Sequence, residues 1–111
     1  MLDQDGYPDE LSLKKIKEWD IWKQGIDGLL ELIKENTNWS DRQIRITGKR
    51  VIRFEYHTGG WSGNEDVIEA LMHTTFWFIF WRKSTRGGHY YFKIEHSEWY
   101  GKDNKDVTRE N

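Results

Sequence analysis

The chain has 111 residues, which is room for one domain. It contains no cysteine, which excludes disulfides, thiolate metal sites and thiol nucleophiles. Lysine and arginine total 17 against 19 carboxylates, so a uniformly basic nucleic-acid binder is excluded while a basic patch is not. Seven Trp, five Tyr and five Phe make the chain unusually aromatic.

The first ten residues, MLDQDGYPDE, have neither the basic start nor the apolar stretch of a signal peptide. The longest apolar run, residues 76–81, is far shorter than the roughly 20 residues that a membrane-spanning helix needs. We therefore expect a cytoplasmic protein without a membrane partner.

Two helices are predicted in the first third of the chain. The first follows Pro8, which suits a first helical turn, and places Leu13 and Ile16 on one face. Residues 20–25 are predicted to be a connector. The second helix has four apolar residues at the spacing of one buried helical face: Ile26, Leu29, Leu30 and Ile33.

The hydrophobic period then changes from that of a helix to that of a strand. Residues 42–47 and 50–57 alternate on either side of a turn and predict a β-hairpin. A third helix is predicted after the glycine-rich loop 57–64, with Ser62 and Glu65 forming a capping box or Asn64 acting as the cap. Its apolar stripe consists of Val67, Ile68, Leu71 and Met72.

A second hairpin is predicted near the end of the chain. Residues 75–83 are expected to form a strand with Phe on one face and Trp and Ile on the other, central in its sheet or covered on both sides. A turn and a last strand over residues 89–96 follow. The prediction is an α+β domain over residues 1–100, with three helices and a four-stranded, mainly antiparallel sheet in the order ααββαββ. Residues 101–111 are expected to be a flexible polar tail.

One face of the predicted sheet interleaves basic and aromatic side chains. With the apolar positions pointing inward, this face presents Arg45, Arg53, Glu55, His57, His89, Tyr91, Lys93 and Glu95. The strand over residues 75–83 is expected to add Phe or Trp. Such a composition is typical of surfaces that stack bases and bind phosphates, although a solvated sheet face is polar in many proteins that bind nothing there.

The loop 57–64 places three glycines before a helix N-terminus, where backbone N–H groups can bind an anion. It is neither a P-loop nor a dinucleotide fingerprint, and a purely structural turn is the alternative. Trp61, expected to be exposed, favours a ligand contact. The predicted ligand-binding residues are Trp61, Ser62, Asn64, Arg82, Arg86 and Tyr91.

Two histidines are candidate catalytic residues. His57 and His89 each lie near a pair of glycines, and pairing of the hairpins would bring them to the same end of the sheet. Two imidazoles beside basic residues could cleave a phosphodiester by acid–base catalysis. The alternative is that they only hydrogen-bond the backbone. The chain lacks metal-ligand spacing, so no metal site and no cofactor are predicted.

A set of distinctive stretches runs from about residue 5 to residue 99: DGYPDE, the Gly28-Leu29-Leu30 helix with ENTNW, HTGGWSGNEDVIEAL, FWFIFWRKSTRGGHYYFKI and Trp99. The loop GGWSGNE and the turn RGGHY are the most specific. Together they resemble a family of short, uncharacterised proteins encoded by bacteriophages, prophages and related mobile elements. The resemblance implies a small accessory protein in a bacterial host cytoplasm, where such proteins often modulate host defence or host enzymes, and it implies no catalytic residues.

Three functions follow as hypotheses. The favoured one is a module that binds a nucleotide-like or short single-stranded nucleic-acid ligand on the aromatic and basic face and the glycine-rich loop. The second is a protein-binding inhibitor or modulator of a host defence enzyme. The third is a small phosphodiesterase or nuclease that uses His57 and His89. A homodimer is compatible with all three, because it would cover the aromatic residues 76–81.

Overall fold

Four antiparallel strands form one sheet, and the helices pack on one of its faces. The structure, a computed structural model, describes residues 1–99. The strands are β1 Ile44–Thr47, β2 Val51–His57, β3 Trp81–Thr85 and β4 His89–Glu95. They lie in the order β1-β2-β4-β3, so the two hairpins join through β2 and β4. The α+β class and the four-stranded antiparallel sheet are as predicted.

The helices are α1 Glu10–Lys17, α2 Ile21–Gln24, α3 Ile26–Glu35, α4 Ser40–Gln43, α5 Ser62–Leu71, α6 Thr75–Phe80 and α7 His96–Trp99. The three predicted helices correspond to α1, α3 and α5. The predicted order ααββαββ is wrong in detail because the others were missed. Helix α2, for example, lies in the predicted connector, where the Asp20 carboxylate caps it by accepting hydrogen bonds from the N–H groups of Trp22 (2.9 Å) and Lys23 (3.3 Å).

The aromatic run at residues 75–80 is a helix and not a strand. The hydroxyl of Thr74 caps it by accepting a hydrogen bond from the N–H of Trp77 at 3.0 Å. Phe76 and Phe80, four residues apart, are buried on one side, whereas Phe78 is 88% exposed. An apolar run this short fits both the helical and the strand period. Here the Thr74 cap and the burial of Phe76 and Phe80 against the core favour the helix.

The predicted strand over residues 75–83 is therefore wrong both in where it begins and in its place in the sheet. Strand β3 begins only at Trp81, lies at the edge of the sheet and is exposed along its whole length. The central strands are β2 and β4, and the residues of α6 add no aromatic side chain to the sheet's outer face. Trp77 instead packs on the core side, where its ring stacks on Trp81 at 6.1 Å and contacts Phe92 at 5.3 Å.

The core lies between the helices and the inward face of the sheet. Helix α3 buries the four apolar residues that the helical spacing predicted, and they meet the inward residues of β2 and β4, which are Ile52, Phe54, Tyr56, Phe92 and Ile94. Met72 was predicted to belong to the stripe of α5. It instead caps that helix and is 54% exposed.

Within residues 1–99, no helix is both long enough and apolar enough to span a bilayer. The predicted polar tail, residues 101–111, lies outside the described residues.

Candidate functional site

The outer face of the sheet, the face turned away from the helices, carries the predicted set of polar and aromatic side chains. Along β2 and β4 the buried positions alternate with accessible ones, and the accessible ones are those that the alternation predicted. The strand register aligns one residue from each strand in a single row across the sheet: Arg45, Glu55, Tyr91 and Lys83. Tyr91 therefore lies near the middle of this outer face.

A shallow groove of about 370 Å³ runs along the outer face beside Tyr91. The Nζ atom of Lys83 lies 4.9 Å from the centroid of the Tyr91 ring. Tyr91 is half-buried but Lys83 is exposed, and such a solvated cation–ring contact is worth only about 0.5–1 kcal/mol, so a flat ligand can displace it. The groove is lined by Arg53, Glu55, Arg82, Lys83, Tyr91, Phe92 and Lys93.

Charge is distributed unevenly between the two layers. The two hairpins, residues 44–57 and 81–95, contain eight lysines and arginines and only two carboxylates, Glu55 and Glu95. The remaining residues up to 99 contain six basic and 14 acidic residues. The hairpins are thus positive and the helical layer negative, which a formal charge of −2 for the whole chain conceals. Such a distribution orients an anion toward the sheet.

The structure brings the two candidate catalytic histidines into direct contact. His57 and His89 are paired across β2 and β4, and their Nδ1 atoms lie 2.7 Å apart. The Nε2 atom of His57 lies 3.2 Å from a carboxylate oxygen of Glu55. The three side chains form a hydrogen-bonded chain, which we call the Glu–His–His chain, and the His57 ring meets Tyr91 edge to face at 6.0 Å.

Two turns meet beside this chain. The N–H of Thr58 donates to the carbonyl of Gly88 at 2.9 Å, which ties the loop after β2 to the turn between β3 and β4. Gly88 has a φ of +83°, and a Cβ there would lie 2.1 Å from the Thr58 hydroxyl oxygen. Glycine is required at this position, because any side chain would push the turns apart.

Trp61 does not have the exposed position that was expected of it. It is half-buried, its indole N–H donates to the carbonyl of Gly6 at 3.0 Å, and its ring packs against Tyr7 at 4.9 Å. Ser62 is exposed and hydrogen-bonds the Tyr7 hydroxyl at 2.9 Å. Both residues connect the glycine-rich loop to the N-terminal segment, so the structure gives them a packing role.

Asn64 is fully buried. Its Oδ1 accepts a hydrogen bond from the N–H of Asn38 at 2.8 Å, and its Nδ2 donates to the carbonyls of Asn38 (3.2 Å) and Thr58 (3.1 Å). These bonds use both amide hydrogens, and because the side chain is fully buried a ligand on the surface cannot contact it. The predicted capping box is also wrong, since Trp61 is the N-cap of α5 and no side chain caps that helix.

Arg82 and Arg86, also predicted to bind ligand, are exposed on the second hairpin. Arg82 lines the groove, and one of its guanidinium nitrogens donates to the carbonyls of Ile79 (3.1 Å) and Trp81 (3.2 Å). Arg86 lies in the turn between β3 and β4. Arg53, Glu55 and Lys93 were predicted on this face from strand alternation but were not among the predicted ligand-binding residues. Lys83 was missed, because the strand predicted over residues 75–83 obscured its position.

A wider cleft of about 880 Å³ lies between α1 and α5. Its lining mixes lysines with carboxylates, among them Lys14, Lys17, Glu18, Asp66 and Glu69, and it contains no aromatic ring except His73. Volume alone does not make it a better candidate, because it offers neither a stacking surface nor a charge of one sign.

Comparisons with protein-family models, with curated proteins and with solved structures find no match to this chain. The resemblance to phage-encoded proteins thus stays a prediction. Among the described residues, no group of three or more histidine and acidic side chains is arranged to hold a metal ion.

Proposed function

We propose that the outer face of the sheet binds short single-stranded nucleic acid. The observation that carries this proposal is the position of Tyr91 in a groove bordered by Arg53, Lys83, Arg82 and Lys93. A base stacks on the Tyr91 ring, and the neighbouring cations contact the phosphates on either side. With the resemblance to phage-encoded proteins, this describes a small accessory protein in a bacterial host.

Single strands suit the face better than a duplex. Stacking on Tyr91 needs an unpaired base with a free ring face, which a duplex does not offer. The basic area is confined to one layer of a small domain, and the helical layer is acidic. A long duplex would bring its phosphates toward those carboxylates, which repel them.

The test is a titration of a fluorescein-labelled DNA strand of about eight nucleotides, followed by fluorescence anisotropy at low salt. Tyr91→Ala is expected to weaken binding by about 5- to 150-fold, because stacking on one aromatic ring is worth about 1–3 kcal/mol. Tyr91→Phe keeps the ring and is expected to bind nearly as well as the wild type. Equal affinities for the wild type and Tyr91→Ala would overturn the proposal.

Trp61→Phe is a second, contrasting variant. Trp61 lies in the loop that was predicted to bind ligand, yet its ring packs on the N-terminal segment. We expect this variant to lower stability while leaving the affinity for the strand unchanged. A loss of affinity confined to Trp61→Phe would move the site from the outer face to the loop.

A further inference from the structure

We infer that His89 is a general base that cleaves RNA bound on the outer face. This inference rests on the proposed function and adds a reaction to it. It is carried by the Glu–His–His chain, which determines the direction of each hydrogen bond between Glu55, His57 and His89.

The direction follows from what each atom can donate. An ionised carboxylate only accepts hydrogen bonds, so the Nε2 of His57 carries the hydrogen that Glu55 accepts at 3.2 Å. In a neutral His57 the Nδ1 atom then has no hydrogen and accepts one from His89, at 2.7 Å. His89 therefore has its hydrogen on Nδ1, and its Nε2 carries a free lone pair. This is the form of imidazole that takes a proton.

The Nε2 atom of His89 lies against the glycine turn between β3 and β4. A Cβ at Gly87 would come within 3.2 Å of this nitrogen, so a side chain at that position would crowd the base. The turn also carries Arg86, an exposed cation two residues away from Gly88 along the chain. The basic nitrogen thus lies against a turn that also carries a cation, and a positive charge of this kind can stabilise a phosphorane.

The geometry of the strand fits a nucleotide held by Tyr91. His89 and Tyr91 project from the same face of β4, two residues apart, which places their Cα atoms roughly 6.6 Å from each other. A nucleotide whose base stacks on Tyr91 has its ribose and phosphate within reach of His89. Only a ribose supplies the neighbouring 2′-hydroxyl that such a base activates.

The step balances without a metal ion or another cofactor. The Nε2 of His89 takes the proton of the 2′-hydroxyl, the 2′ oxygen forms a bond to phosphorus, and the bond between phosphorus and the 5′ oxygen breaks. The departing 5′ oxygen takes a proton from water, and the protonated His89 returns its proton to the hydroxide so formed. The products are a 2′,3′-cyclic phosphate and a 5′-hydroxyl. His57 and Glu55 act as positioning residues.

The experiment compares an RNA octamer with the DNA octamer of the same sequence, both with EDTA present. Binding of the DNA is followed by anisotropy, and cleavage of the RNA by gel and by detection of the 2′,3′-cyclic phosphate. The wild type is expected to bind both and to cleave only RNA. His89→Gln is expected to lose about 10²- to 10⁴-fold in cleavage rate while still binding DNA. His73→Gln, a change at an exposed histidine outside the sheet, is expected to cleave like the wild type.

Glu55→Gln tests the positioning role. A carboxamide can donate a hydrogen bond as well as accept one, so it no longer determines the direction of the chain. We expect a lower cleavage rate together with loss of the single His89 form that has its hydrogen on Nδ1, measured from the ¹⁵N chemical shifts of the imidazole nitrogens. A lower rate with the hydrogen still on Nδ1 would contradict a role for the chain.

The other outcomes separate this inference from the proposed function. Binding of both strands with no cleavage would overturn the inference and leave the binding proposal in place. Cleavage that His89→Gln does not reduce would overturn it as well, since the activity would then come from another group or a contaminant. Failure to bind either strand would overturn the proposed function and the inference together.

Discussion

At the scale of the residue, Asn64 connects two loops that are far apart in the sequence. Its buried amide accepts a hydrogen bond from Asn38 and donates to Asn38 and Thr58. The loop before α4 and the loop before α5 are thereby fixed relative to each other, and the latter leads directly from the end of β2. This side chain therefore holds the loop that follows β2 in place, and it is itself fully buried.

Asn64→Ala is expected to destabilise the protein by at least about 1–3 kcal/mol, because it leaves buried backbone groups without partners. Urea denaturation measures this change. Ser62→Ala, at an exposed position two residues earlier, serves as the control and is expected to change stability by less than about 1 kcal/mol. A fully stable Asn64→Ala variant that loses affinity for nucleic acid would contradict the structural role.

Tyr56 gives a second prediction, which concerns pH. The Tyr56 hydroxyl lies 2.8 Å from the Thr37 hydroxyl, which itself donates to the Ile33 carbonyl at 2.7 Å, so Tyr56 donates to Thr37. Burial raises the pKa of Tyr56 above the ordinary 10.0. The unfolded chain then loses this proton at a lower pH than the folded chain. The stability that the neutral phenol contributes is complete below about pH 10 and is lost as the pH rises above it.

Tyr56→Phe removes this titration. We expect the variant to be less stable by about 1 kcal/mol at neutral pH, where one buried hydrogen bond is lost, and to lose less stability than the wild type between about pH 9 and pH 11. Thermal unfolding followed by circular dichroism at several pH values measures both effects. Parallel stability curves for the two proteins across this range would contradict the assignment.

The sequence predicted the outer face well and the loop poorly, for a physical reason. Alternation along a strand directly determines which side chains share a face, so Tyr91 and both histidines were placed correctly on it. The surroundings of Trp61 depend on Gly6 and Tyr7, which lie more than 50 residues away along the chain. A local sequence pattern cannot indicate a contact between residues so far apart. The glycine-rich loop alone therefore predicts an exposed Trp61.

At the scale of the element, helix α6 is where local pattern and structure differ most. Residues 76–80 alternate between phenylalanine and other apolar residues, and this period of two favours a strand. They form a helix because Thr74 caps its start and one side packs on the core. Phe76 is therefore buried, whereas Phe78 lies in solvent. A similar limit applies to α2 and α4, which are single turns too short for a periodic signal.

A pair of alanine substitutions distinguishes helix from strand. Phe76→Ala is expected to cost about 3–5 kcal/mol, since it empties a core position. Phe78→Ala is expected to change stability by no more than about 0.5 kcal/mol, since that ring is 88% exposed. In a strand the two rings would share a face and be buried alike. Similar large losses for both variants in urea denaturation would contradict the helix.

At the scale of the whole molecule, the separation of charge between the layers underlies the proposed function. The hairpins are basic and the helical layer is acidic, although the sequence as a whole is nearly neutral. Composition alone excluded a uniformly basic binder. It could not locate a basic patch, because that requires knowing whether each charged residue lies in the sheet or in the helical layer. The register of the sheet supplies that information by bringing Lys83 next to Tyr91.

The charge separation predicts which lysines affect the salt dependence of binding. For single strands the slope of log K against log salt is about −0.7 for each phosphate neutralised. Lys83→Ala is expected to make the slope less steep by about that amount, whereas Lys34→Ala, on the acidic helical layer, is expected to leave it unchanged. Anisotropy titrations at several salt concentrations give both slopes. An equal change for the two variants would indicate binding by net charge without a defined face.

A map of the binding surface by NMR tests most directly whether nucleic acid binds the outer face of the sheet. Addition of a short DNA strand to the ¹⁵N-labelled protein is expected to shift the amide signals of the outer face most, at Arg53, Lys83, Tyr91 and Lys93. The signals of Asn64 and of the cleft between α1 and α5 are expected to move little. Shifts concentrated in the glycine-rich loop or in that cleft, with β2 and β4 unaffected, would contradict binding on the outer face.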